Sequence, residues 1–124
     1  MTPSCTDGVK ALMGDCLFCE IAAGRKKAAI VYEDSEVVAF KDIMPQAPTH
    51  ILVVPRVHVP AASDLADPAI WGKLMAVTRK LASDLGHEET GYRLVINTGP
   101  QAGQTIPHLH VHLLAGRAFR WPPG

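Results

Sequence analysis

His108-Leu109-His110-Val111-His112-Leu113-Leu114 alternates imidazole with aliphatic side chains at a period of two. Successive side chains of a β-strand point to opposite faces, so the spacing predicts a strand over 108–115 with three imidazoles on one face and aliphatic residues on the other. Neighbouring histidines on that face stand about 7 Å apart at the backbone, where two imidazolium charges repel by about 2 kcal/mol at an effective dielectric near 20. That exceeds one pKa unit. The middle residue meets such a neighbour on both sides, so His110 is expected to be neutral at pH 7, with a ring nitrogen free to act as a nucleophile. Two other readings stay open: a half-exposed strand that merely carries polar histidines, and a metal site, because His-x-His on a strand is a common zinc geometry. Carboxylates occur in the chain, but none lies near this strand in sequence.

Outward from this row, Asn97-Thr98-Gly99-Pro100-Gln101-Ala102-Gly103-Gln104-Thr105 forms a Gly/Pro-rich loop. Its backbone N–H groups and the Thr105 hydroxyl can face a phosphate, since glycine permits close approach, although an ordinary connection reads the same way in isolation. A strand is predicted over 92–97. Between Asp67 and Gly86, Ile70, Leu74, Val77, Leu81 and Leu85 recur at helical spacing, with Asp67 as cap, Pro68 in the first turn and Gly86 as the stop. The β-branched run 50–54, closed by Pro55, suits a central strand. Segments 30–33 and 37–41 flank Asp34-Ser35 and predict an antiparallel hairpin. Residues 16–23 suit a short helix stopped by Gly24. Residues 1–14 lack periodicity and read as a flexible arm before a single domain over 15–124, whose last residues, 116–124, form an irregular tail. The fold class expected is α+β, with a mainly antiparallel sheet, one long helix and one short one.

The 124 residues suit one domain, and Lys plus Arg (12) equals Asp plus Glu (12), so no global field draws polymeric nucleic acid or an anionic membrane. No stretch has the length of a signal peptide core or a membrane span. Three cysteines, Cys5, Cys16 and Cys19, are an odd count that a disulfide framework does not require. A cytoplasmic protein is the expectation.

The motif His-φ-His-φ-His-φ-φ, with φ apolar, resembles that of the histidine-triad superfamily. More narrowly, the chain is similar to its Hint branch in Asp42-Ile43, Pro45-Gln46-Ala47-Pro48-Thr49-His50, Asn97, Gly103-Gln104-Thr105, the histidine row and Trp121-Pro122-Pro123-Gly124, over about residues 15–124. The resemblance implies a HIT-like α+β fold whose sheet extends across a homodimer, with a purine nucleotide site on each subunit that takes AMP or GMP derivatives. It implies hydrolysis of nucleoside 5′-phosphoramidates or aminoacyl-adenylates through a nucleotidyl-histidine, with no cofactor for catalysis. By position, His110 is the nucleophile and the His108 carbonyl holds its other ring nitrogen. His112 and Thr105 contact phosphate and leaving group, Asn97 supports the site, and Asp42 takes the ribose hydroxyls unless it is simply a turn residue. Gly103 and Gln104 fall at the phosphate, and Phe18, Ile21, Ile43 and Leu52 at the base, where plain core is the other reading. The Arg25-Lys26-Lys27 turn departs from the family pattern and places lysine where a pocket-edge isoleucine is usual, with Lys41 a further basic neighbour. Trp121 is expected to reach toward the partner's site. Dinucleoside polyphosphate hydrolysis and non-catalytic nucleotide binding are the rival functions.

Cys16-x-x-Cys19 resembles the cysteine pair that some relatives combine with two histidines, here His58 and His108, to hold structural zinc. Two reduced cysteines at a helix start are the alternative.

Overall fold

The computed structural model describes residues 16–124; the arm expected over 1–14 lies outside the described residues. Cys16 caps a six-residue helix, α1 (Leu17–Ala22), its sulfur accepting the Cys19 N–H at 3.4 Å. β1 (Ile30–Glu33) and β2 (Val37–Lys41) form the expected hairpin. At its tip Asp34 Oδ1 accepts the N–H groups of Glu36 and Val37, which explains why this sequence turns here. β3 (Thr49–Pro55) crosses the middle of the sheet. α2 (Pro68–Asp84) begins where expected, with Asp67 Oδ1 accepting the Ala69 N–H at 2.9 Å, and Gly86 follows in the left-handed region at φ +81°. β4 (Tyr92–Val95) and β5 (Val111–Ala115) complete a sheet of order β1-β2-β3-β5-β4, all four pairings antiparallel. The expected fold class is the one observed.

Strand alternation sorts the core onto the two faces. Val37, Ala39, Ile51, Val53, Val111 and Leu113 pack with Leu74, Val77 and Leu81 of α2. Val38, Phe40, Leu52 and Val54 pack on the other face with Phe18 and Ile21 of α1. Buried on both faces, β3 is a continuous apolar run rather than an alternating one.

Two boundaries differ from expectation. The last strand starts at Val111, not at 108, because the Leu109 N–H bonds to Val59 O and the His108 N–H to Ile106 O instead of joining the β3 ladder. β4 ends at Val95, opposite His112, so Asn97 belongs to the following loop. His108 and His110 therefore precede the ladder and His112 lies inside it.

Candidate active site and metal cluster

His110 Nδ1 lies 2.8 Å from the His108 carbonyl oxygen. A carbonyl only accepts, so Nδ1 carries the hydrogen and Nε2 keeps its lone pair. His112 has the opposite arrangement. The Gln46 backbone N–H donates to His50 Nδ1 at 3.0 Å, which leaves the hydrogen of neutral His50 on Nε2, 2.9 Å from His112 Nδ1. His112 Nδ1 accepts that hydrogen, and its own proton sits on Nε2. The two rings, with centroids 4.9 Å apart, thus present a lone pair and a donor side by side.

All these imidazoles are held below their usual pKa. Burial is the main cause for His110, against the raising effects of the His108 carbonyl and the Asp42 charge. Burial likewise brings His112 down to about 4, with smaller contributions from His110 and His50. Burial, rather than mutual repulsion along the row, is what most favours the neutral form of His110. Phe18, 2 % exposed, sets its ring edge-on to His108 and to His110, with centroids 5.9 and 5.0 Å away, and keeps water off both.

A cavity of about 640 Å³ opens beside these rings. Phe18, Ile21, Asp42, Ile43, Leu52, Gly103, Thr105, His110 and His112 line it, so residues separated by most of the chain meet at one surface. Phe18, Ile21 and Leu52 are buried core and cavity wall at once. Ile43, 88 % exposed, forms part of the lip.

Asn97 and Gln104 do not reach the lining. Gln104 differs from the expected nucleotide contact for a clear reason: its carboxamide oxygen accepts the Gly99 N–H, and its nitrogen donates to Pro60 O and Ile106 O. It shapes the loop that carries Gly103 and Thr105. Trp121, 83 % exposed, stands outside the lining, in a tail tied down by Arg117 Nε–H donating to Gln46 O and Arg93 donating to Arg120 O. His50 has a role that its sequence neighbours do not reveal. It lies within a run of β-branched residues, and only the register that puts it diagonal to His112 shows what it does.

Behind the cavity, Cys16, Cys19, His58 and His108 place four ligand atoms within 4.8 Å of one another, all buried. His108 Nε2 donates to Pro55 O at 2.9 Å, which leaves Nδ1 as a lone pair 3.3 Å from the Cys16 sulfur and 3.4 Å from that of Cys19. His58 Nδ1 lies 3.6 and 3.1 Å from the same sulfurs. Tetrahedral zinc with usual bond lengths spaces S and N ligands about 3.6 Å apart, so donor set and spacing fit that ion. Burial pushes the Cys16 thiol pKa up and the His58 pKa down.

Residues 23–119 match the HIT domain family, and the chain belongs to that family. It is similar to the crystal structure of a HIT family hydrolase from Legionella pneumophila, with 45 % identity and a TM-score of 0.86 over 89 % of this chain and 100 % of that one. A 14 kDa zinc-binding protein from Zea mays is 45 % identical over 112 residues, 87 % of each chain. A zinc-bound histidine triad family protein from Mycobacterium smegmatis is 31 % identical, with a TM-score of 0.77 over 90 % of this chain and 85 % of that one. Among the described residues no helix is long and apolar enough to cross a membrane.

Proposed function

We propose that the chain hydrolyses purine nucleoside 5′-phosphoramidates or aminoacyl-adenylates through a covalent nucleotidyl-histidine on His110. The observation that carries this reading is the 2.8 Å contact that pins His110 Nδ1–H to the His108 carbonyl and leaves Nε2 as an unprotonated nucleophile at the cavity wall. The hydrolase likeness from Legionella pneumophila supports it.

In the first step His110 Nε2 attacks the α-phosphorus; the Nε2–P bond forms and the P–N bond, or the acyl-phosphate P–O bond of an adenylate, breaks. The positive charge that arises on the ring is stabilised by the carbonyl at Nδ1. A departing amine takes up a proton, which His112 Nε2–H passes on from solvent. Water then attacks phosphorus and gives up a proton to solvent, the P–Nε2 bond breaks, its electron pair returns to Nε2, and the neutral ring is restored. Thr105 and the Gly103 backbone face the phosphate, Asp42 accepts the two ribose hydroxyls, and the base lies against Phe18, Ile21 and Leu52. Asn97 steadies the loop.

The four-residue cluster holds a structural zinc in this reading, supported by the zinc-binding relatives and by the fit of its donors. Such an ion fixes the thiolates and the side of His108 remote from the cavity, and takes no part in bond cleavage. Two chains form a homodimer by joining sheets at an edge strand, where β4 leaves Leu94 exposed, with Trp121 turned toward the partner. A reducing, cytoplasmic setting suits the thiols.

The test is mass spectrometry of enzyme quenched during turnover of adenosine 5′-phosphoramidate. A nucleotidyl adduct on the peptide containing His110 is expected, and its loss together with turnover in His110→Ala. Full phosphoramidase activity in His110→Ala would sink the assignment.

A further inference from the structure

The apolar cavity wall ends in cations. Phe18 stands against His110, Ile21 lies one helical turn further along α1, and beyond Gly24 the chain returns so that Lys26 and Lys27 complete the lining. The Lys26 N–H bonds to Glu20 O at 3.3 Å, which fixes this turn against the helix. Arg25 takes the Glu20 carboxylate at 2.5 Å, and among the described residues no carboxylate forms an ion pair with Lys26 or Lys27. Phosphorus at His110 and ribose at Asp42 would leave the base along the Phe18–Ile21 wall, toward the part of the lining that Lys26 and Lys27 supply. This placement rests on the function proposed above.

An ammonium group only donates hydrogen bonds. Guanine and hypoxanthine offer it two adjacent acceptors, O6 and N7, whereas adenine offers N7 beside an N6 amino group that is itself a donor. We propose that Lys26 and Lys27 form a donor-only rim that makes this chain select nucleotides with a 6-oxopurine base over adenine nucleotides. The rim is solvent-exposed, so one charge-assisted hydrogen bond is discounted by competition with water, and the preference expected is about fivefold.

The experiment compares kcat/KM for the guanosine, inosine and adenosine 5′-phosphoramidates in the wild-type chain and in the Lys26→Gln/Lys27→Gln double variant, at two salt concentrations. Guanosine and inosine are expected to lead adenosine by about fivefold in the wild type, and the ratio to fall toward one in the variant. Inosine separates the two edges of the base, since it keeps O6 and N7 but lacks the 2-amino group. Equal loss for all three substrates, removed by salt, would mean that the lysines only attract phosphate, and would overturn the proposal. Calorimetric binding of GMP and AMP to the same two proteins reads the rim without any turnover. If no phosphoramidate is cleaved but GMP binds tighter than AMP in a lysine-dependent way, the reaction assigned above fails and the rim stands. If AMP binds the wild type as tightly as GMP, the rim fails whatever the reaction.

Discussion

Replacing Phe18 by leucine tests whether burial or neighbouring charge keeps His110 neutral. The Phe18 ring is 2 % exposed, stacks edge-on with Phe40 at 5.4 Å and lies 5.0 Å from the His110 ring. Leucine keeps an apolar side chain there but removes part of the wall between imidazole and solvent. Because burial is the largest influence on His110, readmitted water should raise its pKa toward the usual histidine value. Lost packing should cost about 1–2 kcal/mol, less than the roughly 3–5 typical of phenylalanine to alanine. The assay is an imidazole ¹⁵N titration by NMR at constant zinc, paired with a denaturant melt. The acid limb of any phosphoramidase pH profile should move up with the NMR value, since protonation removes the Nε2 lone pair. The companion variant His112→Phe removes the neighbouring titratable ring and keeps the wall, and should leave His110 nearly where it was. If His112→Phe raises the His110 pKa and Phe18→Leu does not, burial is not the cause of its depression.

Further outcomes follow from other parts of the chain. Asp34 loses solvent on folding, yet hydrogen bonds from Lys73, Tyr32 and the Glu36 and Val37 N–H groups outweigh that and hold its carboxyl well below the usual range. Its contribution to stability is therefore present above pH about 4 and is lost as pH falls toward the lower folded value. Asp34→Asn should cost about 1 kcal/mol at pH 7 and less at pH 3, measured by urea melts. Gly116 sits at φ +95° with an added Cβ only 2.8 Å from Pro48 Cβ, so Gly116→Ala should lower stability by about 2 kcal/mol or more, and a neutral thermal melt would contradict that geometry. Because burial raises the Cys16 thiol pKa, zinc affinity of the reduced protein should climb between pH 6 and 8 with release of protons; competition with a chromophoric chelator would show it, and a flat profile would argue against thiolate ligation.

Much of the architecture was written locally. The Asp34 turn, the Asp67 cap and the helical spacing from Ile70 to Leu85 each act through neighbours a few residues apart, so the hairpin and α2 were predictable nearly to the residue. The start of β5 was not, because alternation reports extended backbone and not who accepts its hydrogen bonds; Leu109 turns to Val59, which periodicity does not reveal. The histidine row marked the site, and the cysteine pair, His58 and His108 do converge. Burial as the main influence on His110 is not legible in the sequence, where neighbouring histidines are visible and an overlying phenylalanine is not. His50 and Gln104 depend on partners as far as sixty-two and forty-four positions away, and their places follow only from the fold.

His108 faces two ways. Its ring is held by Pro55 and meets both sulfurs, while its carbonyl, a few bonds away, orients the neighbouring imidazole. Cys16, which the same ring touches, also starts the helix whose phenylalanine roofs that imidazole. A helix of six residues has little tendency to persist unaided, so it depends on the packing of Phe18 and Ile21 and on what anchors its first residue. Damage to the sulfurs would thus be felt as a less well ordered His110 ring long before the sheet itself came apart.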